Sequence, residues 1–109
     1  MTQNNTLTEE VTEVRKEYRG DGSIMWETQY KDGKKHGTQK YYFESGALMH
    51  KTPYVNGKIH GVVFFYYESG TIAVTAPYVN GLRHGVERFY DESGEQTERK
   101  IFAEGVQIS

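Results

Sequence analysis

The sequence repeats nearly the same stretch of seventeen residues three times, always 24 residues apart, with starts at Tyr30, Tyr54 and Tyr78. A frame of 24 residues divides the chain into four blocks, which start at Glu17, Tyr41, Phe65 and Phe89. The last block keeps Phe102 and Gly105 but has lost the His-Gly pair, as a diverged terminal repeat of a stacked array does. A catalytic site needs its residues only once, so the recurrence indicates a repeat architecture.

Two turn signals divide each block. One is Glu-Ser-Gly, which ends at Gly46, Gly70 and Gly94 and is replaced by Gly-Asp-Gly at 20–22. The other is Asp-Gly or Asn-Gly, with glycines at Gly33, Gly57 and Gly81. Such pairs favour tight hairpin turns because they tolerate positive φ, and the stretches between them are rich in Tyr, Phe, Val, Ile and Thr without helical periodicity. The sequence predicts an all-β fold: an elongated antiparallel meander of tandem 24-residue hairpins in a single twisted sheet.

The composition predicts one domain. Residues 1–10 are polar and without pattern, so we expect a disordered tail there and a single repeat domain over 11–109, opened by a partial strand around Val11–Tyr18. Pro53 and Pro77 each remove a backbone donor, so the sheet should break or bulge beside them.

Alternation along the strands predicts which face is packed. After each Glu-Ser-Gly turn the even positions are mainly apolar or aromatic, and they include Tyr30, Tyr54 and Tyr78. We assign these even positions to an internal stack. The odd positions of the following strands form an aromatic column: Tyr41, Phe43, Phe65, Tyr67 and Phe89. This column is expected to face Glu27, Lys51 and Thr75 and to be half buried, so it is the predicted partner-binding surface.

The repeated unit resembles a known family. Tyr-x-Asn/Asp-Gly-Lys-x-His-Gly followed by Tyr-Tyr-x-Glu-Ser-Gly is similar to the MORN repeat, in the variant form of bacterial YwqK-family antitoxin proteins. The resemblance covers about residues 17 to 105. It implies a hairpin array used as an interaction surface, in some members to neutralise a cognate toxin. Other MORN proteins are linked to membranes and to the scaffolding of complexes.

Three histidines in register, His36, His60 and His84, raise the question of a metal site. Equivalent residues of successive hairpins lie two strands apart, about 9.6 Å at ~4.8 Å between strands. Zinc needs each nitrogen about 2.0–2.1 Å from one ion. We therefore predict no metal and no cofactor, and a structural role in which each imidazole bonds a turn carbonyl or packs on a tyrosine. Gly33, Gly57 and Gly81 are likewise predicted to serve backbone geometry.

Charge and motif content disfavour several function classes. The 15 acidic and 13 basic residues are interleaved, so we expect neither nucleic-acid nor membrane binding. No nucleophile–base or paired-carboxylate constellation stands out from the repeat, so we expect no enzyme. The absence of cysteine and of a signal-like N-terminus predicts a cytoplasmic location.

Protein recognition remains as the leading function. We expect a non-catalytic module that captures and inhibits a protein partner, as an antitoxin, an immunity factor or a phage-encoded inhibitor of a bacterial defence system does; the alternative is a membrane-associated or complex-organising scaffold. In the strand Val62–Tyr67 the even-numbered and the odd-numbered positions are both apolar, so both faces of the strand are apolar. This strand is either central and buried on both faces or a patch that a partner or a second copy covers, which would make a homodimer through the central repeat.

Overall fold

The computed structural model describes residues 11–109, which form eleven strands and no helix. The strands are β1 (Glu13–Tyr18), β2 (Ile24–Lys31), β3 (Lys34–Tyr42), β4 (Leu48–Val55), β5 (Lys58–Ile59), β6 (Gly61–Tyr66), β7 (Ile72–Val79), β8 (Leu82–Arg83), β9 (Gly85–Tyr90), β10 (Gln96–Ala103) and β11 (Val106–Gln107). The predicted all-β fold is confirmed. The predicted disordered tail, residues 1–10, lies outside the described residues.

The strands form one antiparallel sheet in the order β1-β2-β3-β4-β6-β7-β9-β10-β11, and the short strands β5 and β8 pair with β4 and β7. Neighbours in the sheet follow one another along the chain, so the predicted meander is confirmed. The molecule measures 43 × 37 × 25 Å. A flat single layer is about 10 Å thick, so the third dimension reflects a strongly twisted sheet.

The turns follow from the two sequence signals. At the Asx-Gly turns, Asp32, Asn56 and Asn80 have φ of 48° to 49° and the glycines that follow them have φ of 84° to 90°. Positive φ at both central residues is the geometry of a two-residue hairpin turn that matches strand twist. At the first Glu-Ser-Gly turn, Gly46 N–H donates to the Phe43 carbonyl at 2.9 Å and Phe43 N–H to the Ala47 carbonyl at 2.8 Å. This closes a three-residue loop with Gly46 in the left-handed region (φ 95°).

The His-Gly pairs form a two-residue bulge in each hairpin. Trp26 pairs with Tyr41, but Tyr30 pairs with Lys35, so β3 contains two residues more than β2 in this interval. Where proline lies opposite, the bulged strand breaks: His60 separates β5 from β6, and its N–H donates to the Pro53 carbonyl at 3.1 Å. The break predicted beside Pro53 and Pro77 is therefore confirmed.

The first hairpin shows why proline matters at this position. Gln29 occupies the column of Pro53 and Pro77, and its side-chain Oε1 accepts a hydrogen bond from Thr38 N–H at 2.8 Å. Strand β3 runs through its bulge without a break. The amide side chain thus holds the bulged strand against its neighbour.

Successive hairpin tips are tied to each other through the histidines. The Nδ1 atom of His36 accepts the Asn56 N–H at 3.1 Å, and Gly57 N–H donates to the Lys35 carbonyl at 2.7 Å. The same bonds recur one and two blocks later, at 2.7 to 3.2 Å, through His60 and His84. In each of these bonds the imidazole Nδ1 accepts a backbone N–H of the next tip, a contact that the sequence did not lead us to expect.

Six of the eight buried residues in the described part of the chain form a single row across the middle of the sheet. It consists of Thr28, Gln39, Thr52, Val63, Ala76 and Glu87. Two of its polar members bond to each other: Gln39 Nε2 donates to Thr28 Oγ1 at 2.9 Å. The large aromatic side chains remain partly exposed on either side of this row, apart from Phe102 at 7 %.

The bulge glycines should be intolerant of a side chain. Gly61 has φ 121°, and a Cβ built on it would lie 3.0 Å from Pro53 Cγ, so Gly61→Ala combines a strained backbone with a clash against a rigid ring. We expect a loss of about 1–3 kcal/mol in the free energy of unfolding measured with urea. Gly20→Ala is the matched control: nothing lies within 4 Å of its Cβ and its φ is not positive, so a change within about 0.5 kcal/mol is expected. Equal losses for both variants would contradict the bulge geometry.

Candidate protein-binding face

Six residues in successive strands pair directly with one another and therefore lie on one face. Trp26 pairs with Tyr41, Tyr41 with His50, and His50 with Phe65. The series continues through Val74 to Phe89. Because directly opposed residues in an antiparallel sheet point to the same side, these side chains form a continuous line across six strands. We call this line the aromatic row: Trp26, Tyr41, His50, Phe65, Val74 and Phe89.

Ring contacts run along the first four members of the aromatic row. The ring centroids of Trp26 and Tyr41 are 6.4 Å apart, Tyr41 and His50 stack at 4.6 Å, and His50 and Phe65 lie at 5.3 Å. Aromatic pairs at these distances add about 0.5–1.5 kcal/mol each beyond the area they bury. The row therefore stabilises the strand pairing across block boundaries as well as presenting rings at the surface.

The register corrects the assignment of faces made from sequence. Tyr41, Phe65 and Phe89 were expected to lie opposite Glu27, Lys51 and Thr75; that prediction is wrong. Glu27, Lys51 and Thr75 lie on the other face, where they pair with Lys40, Phe64 and Arg88, respectively. The physical reason is the two-residue turn, which always places an even-numbered residue opposite an odd-numbered one.

The five residues predicted to bind a partner fall into two places. Tyr41, Phe65 and Phe89 belong to the aromatic row, whereas Phe43 and Tyr67 are the first residues of Glu-Ser-Gly turns. The Tyr67 hydroxyl donates to the Tyr90 carbonyl at 2.6 Å, so it links one block to the next. Arg19, in the same column of the first block, donates to the Tyr42 carbonyl in the same way. Partner binding by the five residues stays a prediction.

Sequence reasoning missed three members of the row: Trp26, His50 and Val74. They share one column of the 24-residue frame, but they differ in type, so the column drew no attention. The turn length contained the missing signal. A two-residue hairpin turn places the even-numbered residues of one strand on the same face as the odd-numbered residues of the next. Applied to Trp26 and His50, this rule places both beside the predicted binding residues.

Exposure along strand β6 shows which side chains are available. Val63 is buried, at 4 %, but Phe65 on the row is 41 % exposed and Val62 on the opposite face is 40 % exposed. The interpretation that this strand is buried on both faces is therefore wrong, because one sheet layer leaves both faces wet. Association of two copies through this strand stays a prediction.

Acidic residues surround the aromatic row. Glu17 pairs with Trp26 at one end and Glu98 pairs with Phe89 at the other. The turns that close the strands next to the row contain further acids: Asp21, Glu44, Glu68, Asp91, Glu92 and Glu95. The Asx-Gly tips at the far end of the strands contain Lys34, Lys35, Lys58 and Arg83. The row thus lies near the negative end of a polarised molecule.

The opposite face is partly closed by its own contacts. The Tyr42 hydroxyl donates to Glu27 Oε1 at 2.8 Å, and burial together with this carboxylate raises the pKa of Tyr42 to about 12. Lys51 Nζ lies 5.1 Å from the centroid of the Phe64 ring. With these polar groups already engaged, the aromatic row is the better candidate for binding.

His50 is the one imidazole in the row. It is sandwiched between two rings, and its Nδ1 atom has no hydrogen-bond partner among residues 11–109. Burial lowers the pKa of His50 from the ordinary value of 6.5, because an imidazolium would lose its hydration there. The row is therefore uncharged near neutral pH.

Within residues 11–109 no group of three or more His, Cys, Asp or Glu side chains could hold a metal ion. The same part of the chain contains no helix of the length and apolarity that crossing a membrane requires.

These features define a tandem β-hairpin repeat protein with a continuous aromatic row across one face. Two of its segments, residues 35–56 and 59–80, match the family model of the MORN repeat variant. Each segment runs from the bulged strand of one hairpin to the asparagine of the next Asx-Gly turn, and together they include Tyr41, His50, Phe65 and Val74. No curated protein and no solved structure is significantly similar to the chain. Repeats of this kind favour a protein- or membrane-binding module.

Replacing His50 by Phe should stabilise the protein and reduce its sensitivity to acid. The unfolded chain protonates His50 near pH 6.5, whereas the folded chain does so only at lower pH. Stability from the neutral imidazole is thus present above pH 6.5 and is lost as the pH falls below it. We expect His50→Phe to gain about 1 kcal/mol at neutral pH, by removing an unsatisfied nitrogen, and to lose less stability than the wild type between pH 7 and 5.

The control variant for this experiment is His60→Phe. The measurement is urea unfolding of the wild type and of both variants at each pH. His60 Nδ1 accepts the Asn80 N–H at 3.2 Å, so this variant should lose about 1 kcal/mol. A gain in stability at His60, or a loss at His50, would show that the two histidines do not have the environments described.

Proposed function

We propose that the protein is a non-catalytic binding module that captures and inhibits another protein through the aromatic row, together with Phe43 and Tyr67. One observation carries the proposal: a continuous, mainly aromatic line of side chains stays partly exposed on a single-layered sheet, with Phe65 at its centre 41 % exposed. Aromatic residues surrounded by charged ones are typical anchors of protein interfaces, since they bury much area with little loss of side-chain entropy.

The charges beside the row favour a protein partner over a lipid surface. Glu17 and Glu98 flank the row, and the adjacent turns are acidic. Anionic membranes attract clusters of Lys and Arg and repel carboxylates. The partner surface that matches this face would combine apolar groups with basic ones.

An inhibitory role rests on the resemblance to bacterial YwqK-family antitoxins, together with the matched repeat variants. Inhibition by capture needs a large, preorganised surface and no catalytic group, and a rigid array of hairpins offers such a surface. We propose that the protein acts in the cytoplasm as an antitoxin, an immunity factor or a phage-encoded inhibitor of a defence system.

A membrane-associated or complex-organising scaffold is the other function that MORN repeats allow. Flotation with vesicles that contain anionic lipid separates the two proposals. We expect the protein to stay at the bottom of the gradient. Flotation that persists in the Phe65→Ala variant would favour the scaffold instead.

Truncation of the row should weaken partner capture without unfolding the protein. Phe65→Ala removes a 41 % exposed ring at the centre of the row, so we expect a loss of about 2 kcal/mol or more in binding and a smaller loss in folding stability. Val62→Ala is the matched control, because Val62 lies in the same strand, is 40 % exposed and points to the opposite face.

The measurement is pull-down from the native host with each variant, mass spectrometry of the captured proteins, and titration of the purified partner. If the captured partner is a toxin, it should arrest growth when it is expressed alone. Co-expression with the wild-type repeat protein should restore growth. The proposal fails if Val62→Ala loses the partner and Phe65→Ala retains it.

A further inference from the structure

Among the described strands, β1 at one end of the sheet and most of β10 near the other have an open edge. All six residues of β1 are exposed, and β1 pairs with β2 alone among the described strands. On the other side, β11 covers β10 at Phe102 and Ala103, and the Ile101 N–H donates to the Ser109 carbonyl at 3.0 Å. Within residues 11–109 nothing pairs with the outer edge of β10 from Gln96 to Lys100. An open edge is a template for a further strand.

The repeat frame defines what the edge of β10 is shaped to receive. Strands β2, β4 and β7 occupy the same place in successive blocks, and each is followed on its outer side by a strand of one type: β3, β6 and β9. Strand β10 is the equivalent of β2, β4 and β7 in the last block. Strand β1 is the equivalent of β3, β6 and β9. A β1 strand from a second copy would therefore continue the sheet in the register that Trp26 and Tyr41 show in the first block.

In that register, residues of like charge would face each other at three successive positions. Glu98 would face Glu17 of the second copy, Arg99 would face Lys16, and Lys100 would face Arg15. The corresponding internal rows contain no like-charged pair: those of β4 and β6, for example, join His50 to Phe65 and Lys51 to Phe64. Like charges directly opposite each other destabilise strand pairing.

Like-charged rows also occur inside the chain, so their position matters. Lys40 pairs with Lys51, and Arg88 with Arg99. Both pairs lie within hairpins, where a three-residue loop holds the strands together at high effective concentration. Two separate molecules have no such tether, so the same repulsion acts directly on their association.

We propose that the outer edge of β10 is a strand-docking surface for an extended segment of another protein, with acidic residues facing Lys100 and Arg99 and a basic residue facing Glu98. The same charges exclude a second copy of this chain. This surface is separate from the aromatic row and does not depend on the function proposed above. Backbone hydrogen bonds would supply affinity, and the charge order would select the partner.

A pair of synthetic peptides tests the docking surface on the intact protein. Both have the sequence of residues 12–18; one is unchanged and the other contains R15E, K16E and E17K. We expect the exchanged peptide to shift the amide NMR signals of Glu98, Arg99 and Lys100, with an affinity roughly tenfold or more above that of the unchanged peptide. No shift up to the solubility limit of the exchanged peptide, or equal affinity for both peptides, would overturn the proposal.

The same logic predicts assembly of a charge-exchanged chain. E98K with R99E leaves the net charge unchanged, and inside the chain it turns the Arg88–Arg99 row into an attractive pair, so the fold should be kept. In sedimentation velocity at low ionic strength, this variant should form larger oligomers, joined head to tail through β10 and β1. The wild type should form no such oligomers at the same concentrations. Adding E17K restores a like-charged row and should weaken the assembly again. If E98K/R99E sediments as the wild type does, the edge does not accept strands and the proposal is wrong.

Discussion

The register of each hairpin is the constraint on which the rest of the structure depends. A two-residue Asx-Gly turn starts the pairing, and the His-Gly bulge then shifts it by two residues. Both devices need left-handed backbone, which Asn or Asp and Gly supply at little cost. Because the shift is an even number, it leaves the faces unchanged and brings Trp26 beside Tyr41. The Trp26–Tyr41 and His50–Phe65 contacts follow from this pairing. Tyr41 meets His50 across a Glu-Ser-Gly hairpin instead, where a one-residue register shift between Tyr41 and Tyr42 brings the two side chains to the same face.

A single sheet layer has no second layer to bury its side chains, so stability has to come from within the sheet. The buried row is narrow and largely polar, and Val63 and Ala76 are its apolar members. Stacked rings, together with the histidine ties between tips, supplement it. The same rings remain open to solvent on their outer side. The residues that hold neighbouring blocks together are thus also the residues best placed to bind a partner.

The sequence was sufficient for the architecture because turn chemistry and period are local signals. The meander, the primed turns and the breaks beside Pro53 and Pro77 were all predicted from short motifs. The faces were not predicted correctly, because parity within one strand says nothing about its neighbour until the turn and the bulge are counted. The donor to His36 was missed for a related reason, since it comes from the next hairpin, and the pairing of tips is a tertiary feature. His50 gave no sign of its role, because its column contains a different residue type in each block.

Proton–proton NOEs between side chains of adjacent strands test the central claim most directly, which is that the aromatic row forms one face. We expect cross-peaks from the His50 ring to the rings of Tyr41 and Phe65, whose centroids lie 4.6 and 5.3 Å away. Cross-peaks from the Phe65 ring to the side chains of Lys51 and Thr75, without any to His50, would place the ring on the opposite face. That result would contradict the register and with it the proposed binding face.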